Sequence, residues 1–480
     1  MESVCVGRRR LRHESSACQH GQALIYGLFV LTAGLATLFF LFNSGQLVSE
    51  KTKLVNASDA VAYSAGVLHA RLLNFDAYAN RAMIANTVAI AQLVSLSSWV
   101  QYVDSLAQFG AAAVNPKFLP FYPSYTAALL SGPSAKMTLV DGGVLKGLAT
   151  GSDMIIHKAL MTAQWVAHQG ITIARKDVMD EVAQANYSGD GTVAVDSLSE
   201  DEITSFVTRY SDEQRSRFAE VTKASVNREP FVPKRNWFLP GFWSDCPGAT
   251  ATGRIDWLDR RGGTELIGFD EWKAMDTLSE KRWVPKSKHD ALCLSLVEAP
   301  DGWGSQSAAD SPSFDMDPTK YGGSPGINPA ASILTVVSSS DAWSYAGLPS
   351  FYDLSEAGLK QDDPRFRFAI RLRRDKGQTM TSEGRSAITH SGHVNAYQAS
   401  PAGGNDLVAV SAAEVFYQRP DVDEACSDGN RMGRDNCYGR SALGKGRELS
   451  SLFNPYWQVR LIQSAEAVMS AQQEQGATLP

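Results

Sequence analysis

A few residue groups in this chain have the right types for chemistry, and each must be weighed by its surroundings. Gly322-Gly323-Ser324-Pro325-Gly326 fits the G-x-S-x-G pattern that exposes a serine on a strained strand-to-helix turn. Its neighbourhood is rich in Gly, Ser, Pro and Asp, and Pro325 follows the serine directly, so a chance match is the better reading. His390 and His393 are spaced to reach one metal ion from a turn, but no third ligand stands near them in sequence. His157 and His168 lie on a proline-free helical stretch, about 16 Å apart at 1.5 Å rise per residue, and cannot share an ion. Asp315-Met316-Asp317 opens like a calcium loop, yet Lys320 stands where that loop needs glycine. No phosphate-cradling loop or dinucleotide fingerprint occurs, no cofactor is implied, and no catalytic residue is assigned. A membrane-anchored hydrolase or metal enzyme built on Ser324 or on His390 and His393 is the alternative to the reading below.

The cysteines point to an oxidising compartment. Cys5 and Cys18 fall in the N-terminal tail, while Cys246, Cys293, Cys426 and Cys437 follow the apolar segment. An even number there suggests two disulfides. Cys426 and Cys437 flank a polar loop and are expected to pair locally, which leaves Cys246 for Cys293; four cysteines admit three pairings, and sequence does not choose. Zinc is disfavoured because no two cysteines show C-x-x-C spacing.

What positions all of these groups is a single apolar segment. Ala23 to Phe42 runs without a charge, and at 1.5 Å per residue a helix of that length is about 30 Å long, enough to cross the hydrocarbon of a bilayer. Ala23, Leu24, Leu28, Leu31, Leu35, Phe39 and Phe42 are its expected lipid-facing anchors. Residues 1–21 carry four arginines against two glutamates, a net of +2, which leaves −8 for the rest of a chain whose total is −6. A short basic flank stays on the cytoplasmic side, so residues beyond the span are expected in the periplasm or at the cell surface. A cleaved signal peptide is the competing reading, but its apolar core is normally shorter and ends at small residues, whereas this one exits through Phe42-Asn43-Ser44-Gly45-Gln46. With 20% charged residues and no basic run outside the tail, nucleic-acid binding has nothing to rest on.

Beyond the span the chain reads as helix, with no proline before Pro116. Leu68, Leu72, Phe75, Ala79, Ala82, Asn86, Ala89, Leu93, Leu96, Val100 and Val103 alternate steps of four and three, a coiled-coil-like seam that extends back, weakening, through Ala65, Val61, Ser58, Leu54, Lys51 and Leu47. Leu54, Leu68, Leu72, Phe75, Leu93 and Val100 are its expected packing residues. The seam either buries against the proline-free stretch Asp153–Asn186 of the same chain, as a hairpin, or packs against other subunits. Pro116–Gly151 reads as a loop with at most short elements. After Tyr187 comes an amphipathic helix over Ser211–Asn227, then β-type segments: a hairpin turning at Arg260-Arg261-Gly262-Gly263, a strand over Phe366–Arg373, and Leu407–Tyr417, a strand whose alanines leave helix open. Asp301–Ser332 reads as an irregular surface loop, and a helix is expected after about Ile462.

The expected class is α+β: a transmembrane helix continuing into a long pilin-like helix or helical hairpin, followed by a β-rich exported domain. The expected divisions are a basic tail at 1–21, the span at 22–43, a helical stalk or hairpin at 44–186 and a mixed, β-rich domain at 187–480.

The strip Gly21–Gly66, with its Lys51-Thr52-Lys53-Leu54-Val55-Asn56-Ala57-Ser58-Asp59-Ala60 element, resembles the N-terminal region of TadE/TadG-like proteins of the Flp (tight adherence) pilus-assembly system. Leu452-Phe453-Asn454-Pro455-Tyr456-Trp457-Gln458-Val459-Arg460-Leu461 is similar to a C-terminal signature of the larger members, and Glu414–Pro420 to an earlier strand-and-turn element. In two respects the chain departs from the family: the fifth residue after Gly21 is Tyr26, where processed prepilins carry glutamate, and no D-x-S-x-S metal motif is present. The resemblance implies an inner-membrane structural or assembly component whose partners are lipid and other pilus-assembly or pilin-like subunits.

Overall fold

A computed structural model describes residues 19–110, 131–198, 202–210, 216–226, 235–238, 255–286, 293–312, 328–335, 342–359, 361, 363–380, 406–418 and 450–463. Helix α1 runs unbroken from Gln19 to Ser105. Its 87 residues extend about 130 Å at 1.5 Å per residue. The chain is mixed α+β, with this long apolar-headed helix followed by a β-rich region. At Gly66 the helix lies directly on a strand: a Cβ there would meet Val459 at under 3.0 Å.

A widened π-turn, Leu106–Gly110, ends the first helix. The stretch expected as loop up to Gly151 is partly helical: residues 131–141 are helical, and α2 spans Val144–Met154. The glycines make only a sharp joint between these pieces, where Gly143 takes φ +72°, a left-handed angle that suits a residue without Cβ. Helix α3 (Met161–Asn186) follows α2 through a π-helical stretch and returns along α1.

Two four-stranded antiparallel sheets lie along α1 one after the other. The first has the order β1 (Ala194–Ser197), β8 (Arg365–Asp375), β9 (Asp406–Tyr417), β10 (Trp457–Ile462). The second is a meander of β3 (Arg235–Phe238), β4 (Trp257–Ile267), β5 (Glu271–Pro285) and β6 (Cys293–Ala308). A short pair, β2 (Val207–Arg209) with β7 (Tyr352–Leu354), forms a sheet of its own that packs into the core of the first. Four short α-helices, α4 (Glu202–Phe206), α5 (Ser216–Val226), α6 (Pro329–Ile333) and α7 (Glu356–Leu359), and a 3-10 turn at Lys376–Gln378 complete the described elements.

The strand readings of 366–373 and 407–417 correspond to β8 and β9, whose alternating burial puts Phe366, Phe368, Ile370 and Leu372 inside. The hairpin expected to turn at Arg260–Gly263 is one continuous strand, β4, and the chain turns at Gly268. The reason is local: a Cβ on Gly262 would collide with the Asp276 carboxylate of β5, so glycine here is a close-approach residue.

Helix α1 is the spine of both cores. Leu54, Val61, Ala65 and Leu73 pack with Phe366, Phe368, Ile370 and Val415 of the first sheet and with Met179 and Tyr187 of the α3 end. Met83, Ile90 and Val94 pack with Trp272 and Ala274 of β5, with Phe218 of α5, and with Trp343 and Phe351. Tyr102, Val103 and Leu106 close on Leu278 of β5. Each fully buried large apolar side chain in these clusters contributes about 1.5–3 kcal/mol relative to exposure.

Candidate assembly site along the first helix

The membrane-type segment stands clear of everything else. Ala23, Leu24, Leu28, Leu31, Leu35, Phe39 and Phe42 are all exposed, Leu24 at 75%. Among the described residues this is the one helix long and apolar enough to cross a membrane. A helix apolar on every side and unburied by its own chain has an apolar medium or other helices as its stable surroundings.

Just past the span, an ionic clamp seizes α1. The Arg374 guanidinium, at the end of β8, has no exposed side-chain surface and lies 2.9 Å from Glu50 Oε2. It also donates to the Asp190 carbonyl at 2.7 Å and packs over the Tyr187 ring at 4.5 Å. From one turn along the helix, Lys53 Nζ reaches Asp190 Oδ2 at 2.6 Å. The Lys53 hydrogen bond, followed by those of Arg374, holds the Asp190 carboxyl below its ordinary value of 3.8. A buried guanidinium is tolerable because carboxylates and carbonyls accept from both of its terminal nitrogens.

Further along, polar side chains of α1 fasten to other elements. Asp59 accepts from Ser411 of β9 at 2.6 Å. Asn74 mimics a strand edge, accepting from the Trp457 amide at 3.0 Å and donating to its carbonyl at 2.9 Å. Asn80 donates to the carbonyls of Tyr352 and Leu452 at 2.8 and 2.7 Å and accepts from Gln164 of α3 at 2.9 Å. Asp76, wholly buried, pairs with His168 of α3 at 2.7 Å. Burial raises the Asp76 carboxyl above its ordinary value, and the His168 hydrogen bond opposes the shift.

These fasteners explain where the seam lies. Leu54, Leu72 and Val100 are buried, Leu68 and Leu93 half-buried, and Phe75 is 37% exposed. After Ala65 the line of deepest burial steps to His69, Leu73, Asp76, Asn80, Met83, Thr87, Ile90 and Val94, one residue along from the apolar seam. Apolarity alone does not mark that line, since His69, Asp76, Asn80 and Thr87 lie on it. The signal present in the sequence was polar residues recurring at helical spacing within an otherwise apolar helix.

The outer face of α2, α3 and the π-helical stretch between them carries exposed Val144, Leu148, Ile155, Trp165, Val166 and Ile173. Among the described residues no group of three or more His, Cys, Asp or Glu side chains could hold a metal ion. Ser324, His390, His393, Asp315 and Asp317 lie outside the described residues, as do Cys246, Cys426 and Cys437 and the stretch after 463. Cys293 opens β6 opposite Pro285. His157 and His168 are apart, His157 facing the Gly347 carbonyl at 3.0 Å.

An exposed apolar helix that runs on, through a clamp, into the body is the arrangement with which the sequence comparison coincides. Residues 21–71 match the Tad family model, Flp pilus-assembly TadE/G-like. The TadE/G-like segment is about a tenth of the chain. It holds the whole apolar span, the α1 half of the clamp at Glu50 and Lys53, and Asp59 and Gly66 where α1 meets the first sheet. It stops before Asn74, Asp76 and Asn80. No curated protein and no solved structure matches the chain.

Proposed function

We propose that this protein is a structural component of a Flp-type pilus-assembly apparatus or a related secretion apparatus, anchored in the inner membrane by Ala23–Phe42. The N-terminal arginines would stay on the cytoplasmic side, and the body, with both sheets, would be exported to the periplasm or cell surface. The observation that carries this reading is the coincidence of the TadE/G-like match with an unburied apolar helix fastened to a folded body. Its action would be packing and not catalysis: the span lies among lipids and neighbouring pilin-like helices, while the clamp at Glu50 and Arg374 holds the body at a set height above them. From Phe42 to Glu50 that height is about 12 Å of helix. Leu54, Leu68, Leu72, Phe75, Leu93 and Val100 serve in this reading as packing residues of the helix that links anchor to body. The expected disulfides among Cys246, Cys293, Cys426 and Cys437 would fit an exported body.

The test is photo-crosslinking from Leu28 and Leu35, replaced one at a time by a photoreactive residue, in cells that assemble the pilus. Adducts with other pilus-assembly subunits, together with loss of pili on deletion of the gene, are the expected result. Normal piliation after deletion, with only lipid adducts, overturns the reading.

A further inference from the structure

The far end of α1 meets the second sheet through hydrogen bonds that do not balance with an ionised carboxylate. Ser98 Oγ lies 2.7 Å from Asp276 Oδ2 of β5 and 3.1 Å from the Gly304 carbonyl of β6. A serine hydroxyl has one proton, and both neighbours are acceptors if Asp276 is charged. One of the two close contacts would then lack a hydrogen, in a place where Ser98 is 0% and Asp276 2% exposed. A neutral Asp276 resolves the count: its O–H donates to Ser98 Oγ, and Ser98 donates to the Gly304 carbonyl.

The surroundings favour the same state. Burial pushes the Asp276 carboxyl up to about 7, against the smaller opposing effects of the Ser98 hydroxyl, where it donates to the ionised carboxylate, and of the Arg260 guanidinium of β4. From α1, Tyr102 is the titratable neighbour, and its phenol is raised by burial. From β6, Asp301 sits on a bulge at 1% exposure, raised to about 7 by burial and then by Glu280, with Arg282 opposing. Neither Asp301 oxygen has a hydrogen-bond partner among the described residues. The helix end therefore rests on a surface with little to stabilise negative charge.

We propose that the Ser98–Leu106 end of α1 is latched to the β5–β6 ladder by a proton held on Asp276, which makes its docking pH-dependent. The helix then joins the membrane-side body at the Arg374 clamp, whose ionic share is lost only in acid, and the distal sheet through a bond that weakens as pH rises. Because the proton is bound more tightly docked than free, the latch is strongest below the ordinary aspartate value of 3.8. It weakens as pH rises and levels off above about 7.

The experiment is hydrogen exchange of the full chain in lipid nanodiscs, read by mass spectrometry on the peptide covering Ser97–Leu106 and corrected for intrinsic rates. Between pH 5 and 7 the protection of this peptide should fall by up to about a hundredfold in the wild type relative to Asp276→Asn, whose amide keeps a donor at all pH values. Equal pH dependence in the two proteins overturns the latch. Should Asp276→Asn not fold, Ser98→Ala decides: losing the oxygen that accepts the Asp276 proton should move the upper break to lower pH. An unmoved break would also overturn the proposal.

Discussion

Asp76 Oδ2 stands 2.7 Å from His168 Nε2 across the contact of α1 with α3, with side-chain exposures of 0% and 10%. The His168 ring is in turn stacked on Tyr352 at 3.8 Å and 5°, so three elements distant in sequence are oriented by one imidazole. Gln164 adds a contact to the Asp76 carbonyl at 3.4 Å and a bond to Asn80 at 2.9 Å. The hairpin is thus specified by polar groups, with the apolar side chains around them supplying burial.

Substituting Asp76 should separate shape from charge. Asp76→Asn keeps an acceptor for His168 and removes a carboxyl that burial disfavours in its ionised form, so it should change stability by under about 1 kcal/mol at neutral pH. Asp76→Ala leaves His168 without its partner and should cost about 2 kcal/mol. Since folding raises the Asp76 pKa, its contribution is largest in acid and declines as pH rises, and the gap between wild type and Asp76→Asn should follow that sign. Chemical denaturation in detergent at pH 5 and 8 measures both effects.

Two of the glycines where strands press on α1 should differ in how they respond to a methyl group. A Cβ on Gly304 would meet the Ser98 carbonyl and the Tyr102 amide, both helix backbone, at under 3.0 Å. Backbone cannot swing aside, so Gly304→Ala should cost about 2–3 kcal/mol. On Gly66 the obstacle is the Val459 side chain. Gly66→Ala should therefore destabilise alone but recover most of the loss when combined with Val459→Ala, a coupling that a double-mutant cycle of thermal unfolding reads directly.

Those same glycines show why part of the fold was hidden. The span at Ala23–Phe42 was legible because twenty uncharged residues admit few structures, and β8 because period-two alternation marks a half-buried strand. Asp301–Ser332 read as a loop for its glycines, yet residues up to Ala308 belong to β6, and Gly302 and Gly304 are there because α1 lies flat on that strand. A residue chosen for the approach of a partner some 200 positions away looks like a turn signal when only its neighbours are seen. The packing line of α1 was obscured similarly: Asp76, Asn80 and Thr87 interrupt the apolar pattern, and the groups that satisfy Asp76 and Asn80 come from α3, Tyr352 and Leu452. Arg374 and Glu50, separated by most of the chain, left no local trace of the clamp.

Breaking the clamp should expose that long-range dependence. Arg374→Ala would leave Glu50 and Asp190 facing each other without their guanidinium, a loss of about 3–5 kcal/mol for a buried pair. Arg374→Lys should restore little, since a point charge cannot serve Glu50 and the Asp190 carbonyl from one plane. Asp190 has its pKa lowered by folding, so its share is intact above 3.8 and is lost as pH falls through the depressed value, opposite in sign to Asp76 and Asp276. Limited proteolysis between Asn43 and Leu54, at neutral and acid pH, should show cutting in Arg374→Ala throughout and in the wild type only under acid conditions.

A charge placed in the span should separate anchoring from folding. Leu31 is 59% exposed, and nothing in the body contacts its helix face. Leu31→Arg should therefore leave the thermal midpoint of the detergent-solubilised protein unchanged. In cells the same change carries a penalty of about 2.5–3.5 kcal/mol for an arginine near the centre of a membrane helix. Alkaline extraction should then release a larger soluble fraction of the variant than of the wild type. Were the span removed by cleavage, extraction would release wild type and variant alike, and the N-terminus of the mature chain would begin beyond Phe42. Equal release together with an intact N-terminus would mean that Ala23–Phe42 is held by other protein helices, and the contacts to seek would then be those of a subunit inserted in a fibre.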